Sequence, residues 1–160
     1  MSSPASLKNH PIHPMLVALP IGLWIFALIG DVVFATGGAA IWNTVALYCV
    51  AAGIVGALLA AVPGFIDYLS IDEAAMKRIG TYHLLLNLGA VVLFGINLWL
   101  RLRLPENSRI PLSLSIIGVI GIAVSGWLGG EMVYVKGMAV QAVEELSKKQ
   151  DRKEQPHRAA

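Results

Sequence analysis

The sequence predicts an all-α integral membrane protein, a four-helix bundle with a C-terminal amphipathic helix. Three observations carry this. Four apolar segments fill most of the 160-residue chain, and each has the roughly 20 residues that about 30 Å of hydrocarbon requires at about 1.5 Å per residue. Nearly all ionisable groups lie at the segment ends. The aromatic residues fall at two levels, Trp42 and Trp99 at one and Tyr68, Tyr82, Trp127 and Tyr134 at the other, as interfacial belts do when the spans are in register.

Taken in order, residues 1–13 form an N-terminal lead-in that carries most of the motif His10-Pro11-Ile12-His13-Pro14. A residue before proline is pushed out of the α region, so this motif reads as extended, with His13 at the cap of the first span. The membrane domain covers 14–135, with spans at about 14–35, 41–66, 81–102 and 111–130. The first span is too long for the apolar core of a signal peptide and stops at Thr36-Gly37-Gly38. Pro111 suits the first turn of the fourth. Between the second and third spans, Ser70 with Glu73 reads as a capping box, so a short helix precedes or merges into the third. Beyond Glu131, Met132, Val135, Ala139, Val143 and Leu146 keep a helical period, which defines the amphipathic helix at 132–147. Residues 148–160 are charged and read as a disordered tail.

Small residues mark the expected contact faces: Ala52, Gly56, Ala60 and Gly64 in the second span, and Gly121, Ser125 and Gly129 in the fourth. At every fourth position such residues let helix backbones approach closely.

Composition narrows the function classes. Hydrophobic residues make up 56% of the chain and charged residues 14%, against about 25% charged in soluble domains. A net charge of +2 is too mild to argue for a nucleic-acid partner; the expected partner is the lipid bilayer. The single Cys49 excludes an intrachain disulfide and any multi-cysteine metal site. No nucleophile triad, phosphate loop or cofactor fingerprint marks the chain as an enzyme, and no catalytic residue is assigned. Oligomeric state cannot be read from the sequence.

Four spans put both termini and the 67–80 loop on one side. That side holds Lys8, Lys77, Arg78, Lys136 and the tail cations, and the other holds Arg101, Arg103 and Arg109. The positive-inside rule then places both termini in the cytoplasm.

On this topology His10, His13, Asp67, His83 and Glu131 share one end of the bundle. Asn87 lies one turn below His83 on the same face. Pro20 and Pro63 fall in the same leaflet; each removes a helix hydrogen bond, freeing the carbonyls of Leu16 and Leu59, and two kinks there open a small cavity. Prolines are also common in membrane helices. Three histidines and two carboxylates are enough ligands for one metal ion or for haem iron. They are also the parts of a proton relay. A bisaxial haem is harder, because only His83 sits well inside a span. The structural alternative pairs Asp67 and Glu131 with Lys77, Arg78 or Lys136. Asp31 lies near the opposite interface, roughly 26 Å along the helix from Pro14, and is expected to form a structural ion pair with Arg101, with Asn97 nearby.

The stretches HPIHPMLVALPIGLWIFALIGDVV at 10–33, GFIDY at 64–68, His83 with Asn87, and GWLGGEMVYVKGMAV at 126–140 resemble the domain of unknown function 2231 family of predicted bacterial membrane proteins. The resemblance covers about residues 9–140. It implies four spans in a bacterial inner (plasma) membrane and no settled activity. Relatives joined to Rieske-type or c-type cytochrome domains imply a redox neighbourhood, and hence a redox partner protein, by association. It carries His10, His13, Asp67, His83 and Glu131 as motif positions without a role.

The functional expectation is a redox-associated module binding a metal ion or haem at the histidine–carboxylate cluster. The alternative is a non-catalytic membrane anchor or organising subunit for a partner protein.

Overall fold

A computed structural model describes residues 3–8 and 10–137 of the chain. A two-residue antiparallel pair, β1 (Ser6–Leu7) and β2 (His10–Pro11), leads into a short helix α1 (Ile12–Leu16). Four long helices follow: α2 (Ala18–Ala35), α3 (Ile41–Leu69), α4 (Ala74–Arg101) and α5 (Ile110–Gly130), the last continued by a π-helical turn at Glu131–Val135. With α1 joined to α2 and the π turn to α5, all four are long and apolar enough to cross a membrane. The part of the expected amphipathic helix beyond residue 137, and the tail at 148–160, lie outside the described residues.

Helix α2 packs on α3, α3 on α4, α4 on α5, and α5 back on α2, which closes the ring; α1 lies on α3. Short connections force this antiparallel order. At the first of them, Thr36 donates its hydroxyl to the carbonyls of Val32 and Val33, and Gly37 takes φ +97°, a left-handed helix ending that favours glycine.

The buried face of α5 runs through Pro111, Ser115, Gly118, Ile122 and Ser125. Steps of four and three average 3.5 residues, the period of knobs-into-holes packing. On α4 the same rhythm picks out Met76 and Gly80, then Ala90, Phe94 and Asn97. This corrects the expected contact stripes. Ala52 is exposed, and Gly53 takes its place against the Trp24 indole. Gly121 faces open space, and Gly118 lies against Phe94 instead. A strict four-residue step drifts about 40° per repeat around a helix, so it leaves the interface after two or three turns.

Mid-bundle, Trp24 stacks on Phe94 with ring centres 4.1 Å apart and planes 12° from parallel. Its indole N–H donates to the Val50 carbonyl at 3.4 Å, which meets the need of a buried tryptophan for a partner. Ala27, Ala46, Val50, Ala90 and Ile122 complete this core. The outer faces are the reverse: Leu58, Val62, Leu88, Val92, Ile117 and Ile120 are exposed, as lipid contact allows and water would not.

Two end features differ from expectation. His13 lies inside α1, not at its cap. Pro14 restricts its neighbour, but it sits in the first helical turn, where a missing N–H costs no hydrogen bond. Ser70 closes α3 rather than opening the next helix: its hydroxyl donates to the Asp67 carbonyl at 2.7 Å, and α4 starts at Ala74 without a side-chain cap.

Candidate functional site

The end of the bundle that carries the N-terminus is built by a fold-back of the chain. β1 pairs with β2 around Lys8, whose φ is +48°, and the Ile12 N–H then donates to the Ala5 carbonyl at 3.0 Å. This seats α1 against α3 and aims His13 at it. The His13 Nδ1–H donates to the Ala60 carbonyl at 2.8 Å. A carbonyl only accepts, so the proton is on Nδ1. Gly64 makes room: a Cβ there would lie 2.5 Å from the His13 Nδ1. The bonded carbonyl is therefore that of Ala60, one residue beyond the Leu59 carbonyl that Pro63 frees. Pro20 is buried in the first turn of α2, and the break it accompanies falls at Val17.

His83 is held in the same way by the opposite pair of helices. Its Nδ1–H donates to the Ser125 carbonyl at 2.8 Å, with the Ser125 hydroxyl 3.0 Å away. Asn87 ties the two helices by donating to the His83 carbonyl at 2.8 Å and to the Ser125 hydroxyl at 2.7 Å. Gly129 gives the ring its seat, since a Cβ there would stand 3.2 Å from it. The two imidazoles stand edge to face with centres 6.2 Å apart and planes at 89°. Both Nδ1 atoms are committed to main-chain carbonyls, and among the described residues neither Nε2 has a hydrogen-bond partner.

The other sequence candidates go elsewhere. His10 is exposed, with its Nδ1–H on the Lys8 carbonyl at 2.9 Å. Asp67 is buried, and its Oδ1 accepts from the Ser3 hydroxyl at 2.7 Å and the Ala5 N–H at 3.1 Å. The expected partner Lys77 donates instead to the Tyr68 carbonyl at 2.7 Å and lies 4.2 Å over the Tyr68 ring. The Glu131 side chain makes no hydrogen bond or ion pair among the described residues; its carbonyl accepts the Lys136 N–H at 3.1 Å. Among the described residues no three His, Cys, Asp or Glu side chains come together as a metal site. The five-residue cluster thus resolves into one histidine pair, His10 and Asp67 bonded elsewhere, and Glu131 with no side-chain partner among the described residues.

The opposite end holds a second polar network. Arg101 Nη2 donates to Asp31 Oδ2 at 2.5 Å, with the two side chains 3% and 5% exposed. Ser115 donates to the same Oδ2 at 2.7 Å. Arg101 Nε donates to Asn97 Oδ1 at 2.7 Å, and Asn97 Nδ2 donates to the Pro111 carbonyl and the Ser115 hydroxyl, each at 3.0 Å. Ser115 and Ser125 were missed as site partners by sequence reasoning. Their signal is a serine on the inner 3.5-residue track at the depth of a polar group on α4.

A family model described as "Predicted membrane protein (DUF2231)" matches residues 9–142. No match was found among curated proteins or among solved structures.

Proposed function

Since the chain belongs to this DUF2231 family of predicted membrane proteins of unknown function, we propose that it is a redox-associated membrane module. In it, His13 and His83 bind one metal centre through their two Nε2 atoms, either a transition-metal ion or haem iron. The observation that carries the reading is the edge-to-face pair at 6.2 Å. Two imidazoles on one metal, at about 2.0–2.1 Å each, place their ring centres roughly 5–6.5 Å apart. The committed Nδ1 atoms support it further. A ligating histidine commonly donates its other N–H to a carbonyl, which fixes the tautomer and ring orientation. Asn87 and Ser125 are positioning residues for His83. Asp67 and Glu131 stand outside this ligand set.

The lysine and arginine bias supports cytoplasmic termini in a bacterial inner membrane, so a redox partner protein would meet the pair from the cytoplasm. If the pair takes no metal, the same hydrogen bonds act as clamps between helices, and the chain is an anchor or organising subunit.

The test is metal analysis and a visible spectrum of protein purified in non-ionic detergent, before and after addition of Cu, Zn or haem. One metal ion or one haem per chain is expected, lost in His13→Ala and in His83→Ala and kept in His10→Ala. Folded wild-type protein that carries neither and takes up neither overturns the proposal.

A further inference from the structure

The Asp31–Arg101 network leaves one strong donor unused. The Arg101 side chain is 3% exposed, and its Nη1 is buried without a hydrogen-bond partner among the described residues. A guanidinium nitrogen in that state is costly unless something accepts from it. Other atoms of Arg101 line a cavity with Asp31, Asn43, Arg109, Pro111 and Leu112, among others.

The charges around this cavity set the ligand. Asp31 is already neutralised by Arg101 and accepts from Ser115. Arg109 is pinned at the mouth, with its Nη1 donating to the Ala35 carbonyl at 2.9 Å. Pro111 and Leu112 belong to the first turn of α5, where the Ile110 N–H donates to the Ser108 hydroxyl at 3.4 Å and Pro111 has no N–H, so Leu112 offers the one unpaired first-turn N–H among the described residues. The N-terminal end of a helix carries unsatisfied N–H groups and a partial positive charge, which favours anions. The unpartnered Arg101 guanidinium, a second arginine and the Leu112 turn of α5 therefore line one cavity, opposed by the rim carboxylate of Glu106.

We propose that this cavity binds a phosphate group, with Arg101 holding Asp31 through Nη2 and turning Nη1, covered in this structure, onto the phosphate. Arginine is suited to this because its fork presents two donors at fixed geometry. At a membrane interface the phosphate comes either from solution or from a lipid headgroup.

The experiment measures the unfolding temperature of delipidated protein in a phosphate-free maltoside detergent. One arm adds inorganic phosphate against chloride of equal ionic strength, and the other adds short-chain phosphatidylglycerol. A ligand that binds only the folded state raises the unfolding temperature. A rise with inorganic phosphate identifies a free-anion site; a rise with the lipid alone identifies a headgroup site. Arg101→Lys keeps a cation for Asp31 but deletes the second nitrogen, and should abolish the rise. The exposed rim variants serve if that protein fails to fold. Arg109→Gln should weaken binding by about tenfold, the equivalent of one charge-assisted bond, and Glu106→Gln should tighten it. No rise in either arm, or equal rises in wild type and all variants, overturns the proposal.

Discussion

Removing both members of the Asp31–Arg101 pair should cost much less than the two single losses added together. The side chains are 3% and 5% exposed, so the relevant comparison is a buried pair. Breaking one by deleting a single partner costs about 3–5 kcal/mol, because a charge is left uncompensated; an exposed pair would give about 0–1 kcal/mol. Asp31→Leu leaves Arg101 with only the Asn97 and Ser115 oxygens, and Arg101→Met leaves Asp31 with Ser115 alone. Each should lose about 3–5 kcal/mol. In the double variant no charge remains. Asn97 still donates to Pro111 and Ser115, but its Oδ1 and the Ser115 hydroxyl proton each lose a partner, at about 1–3 kcal/mol apiece. With about 4 kcal/mol lost in each single variant and about 4 kcal/mol in the double, the coupling energy should be about 4 kcal/mol, well above the additivity error of about 0.5 kcal/mol. Equilibrium unfolding in mixed detergent micelles measures it. A coupling below about 1 kcal/mol would refute the reasoning, because it would mean that water already screens the pair.

Three further outcomes follow from the same geometry. Gly118→Ala places a Cβ 2.6 Å from the Phe94 ring; overpacking of about 1–3 kcal/mol outweighs the gain of up to about 1 kcal/mol in helix propensity, so the unfolding midpoint should fall. Gly64→Ala places a Cβ 2.5 Å from the His13 Nδ1; the ring must leave the Ala60 carbonyl, at about 1 kcal/mol, which the propensity gain of up to about 1 kcal/mol offsets. Stability should then hardly change while the ¹⁵N signal of the His13 Nδ1–H bond disappears, and a retained signal would contradict this. Reporter fusions should place residue 160 in the cytoplasm and a site near residue 105 outside it; activity of a periplasm-dependent reporter at residue 160 would reverse the orientation.

The spans were legible because apolar length alone sets them, and the depth of a polar group follows from counting rises along a helix. That arithmetic is enough to bring Asp31 and Arg101 to one level. Rotation about the helix axis was harder to read. The four-residue stripe through Ala52 and Gly121 looked as good as the true track through Gly53 and Gly118, because in an all-apolar span no polar face betrays which side is inside. Main-chain partners were invisible for another reason. The carbonyls of Ala60 and Ser125 carry no residue signature, so the sequence cannot say which ones the imidazoles reach. Asp67 is expected from the sequence as a candidate ligand, with Lys77, Arg78 or Lys136 as alternative partners; its bonds to Ser3 and Ala5 were not legible, because the fold-back of β1 and β2 brings those residues to it.

Helix α4 carries polar groups at both ends on one face: His83 and Asn87 near its start, Asn97 and Arg101 at its finish, with Phe94 stacked on Trp24 between them. His83 and Arg101 are roughly 27 Å apart along one rod. A rotation of α4 that withdrew His83 from Ser125 would also pull Arg101 from Asp31, and would shear the aromatic stack on the way. The helix is an axle with a grip at each membrane surface and a brake at its middle, so neither end can turn alone.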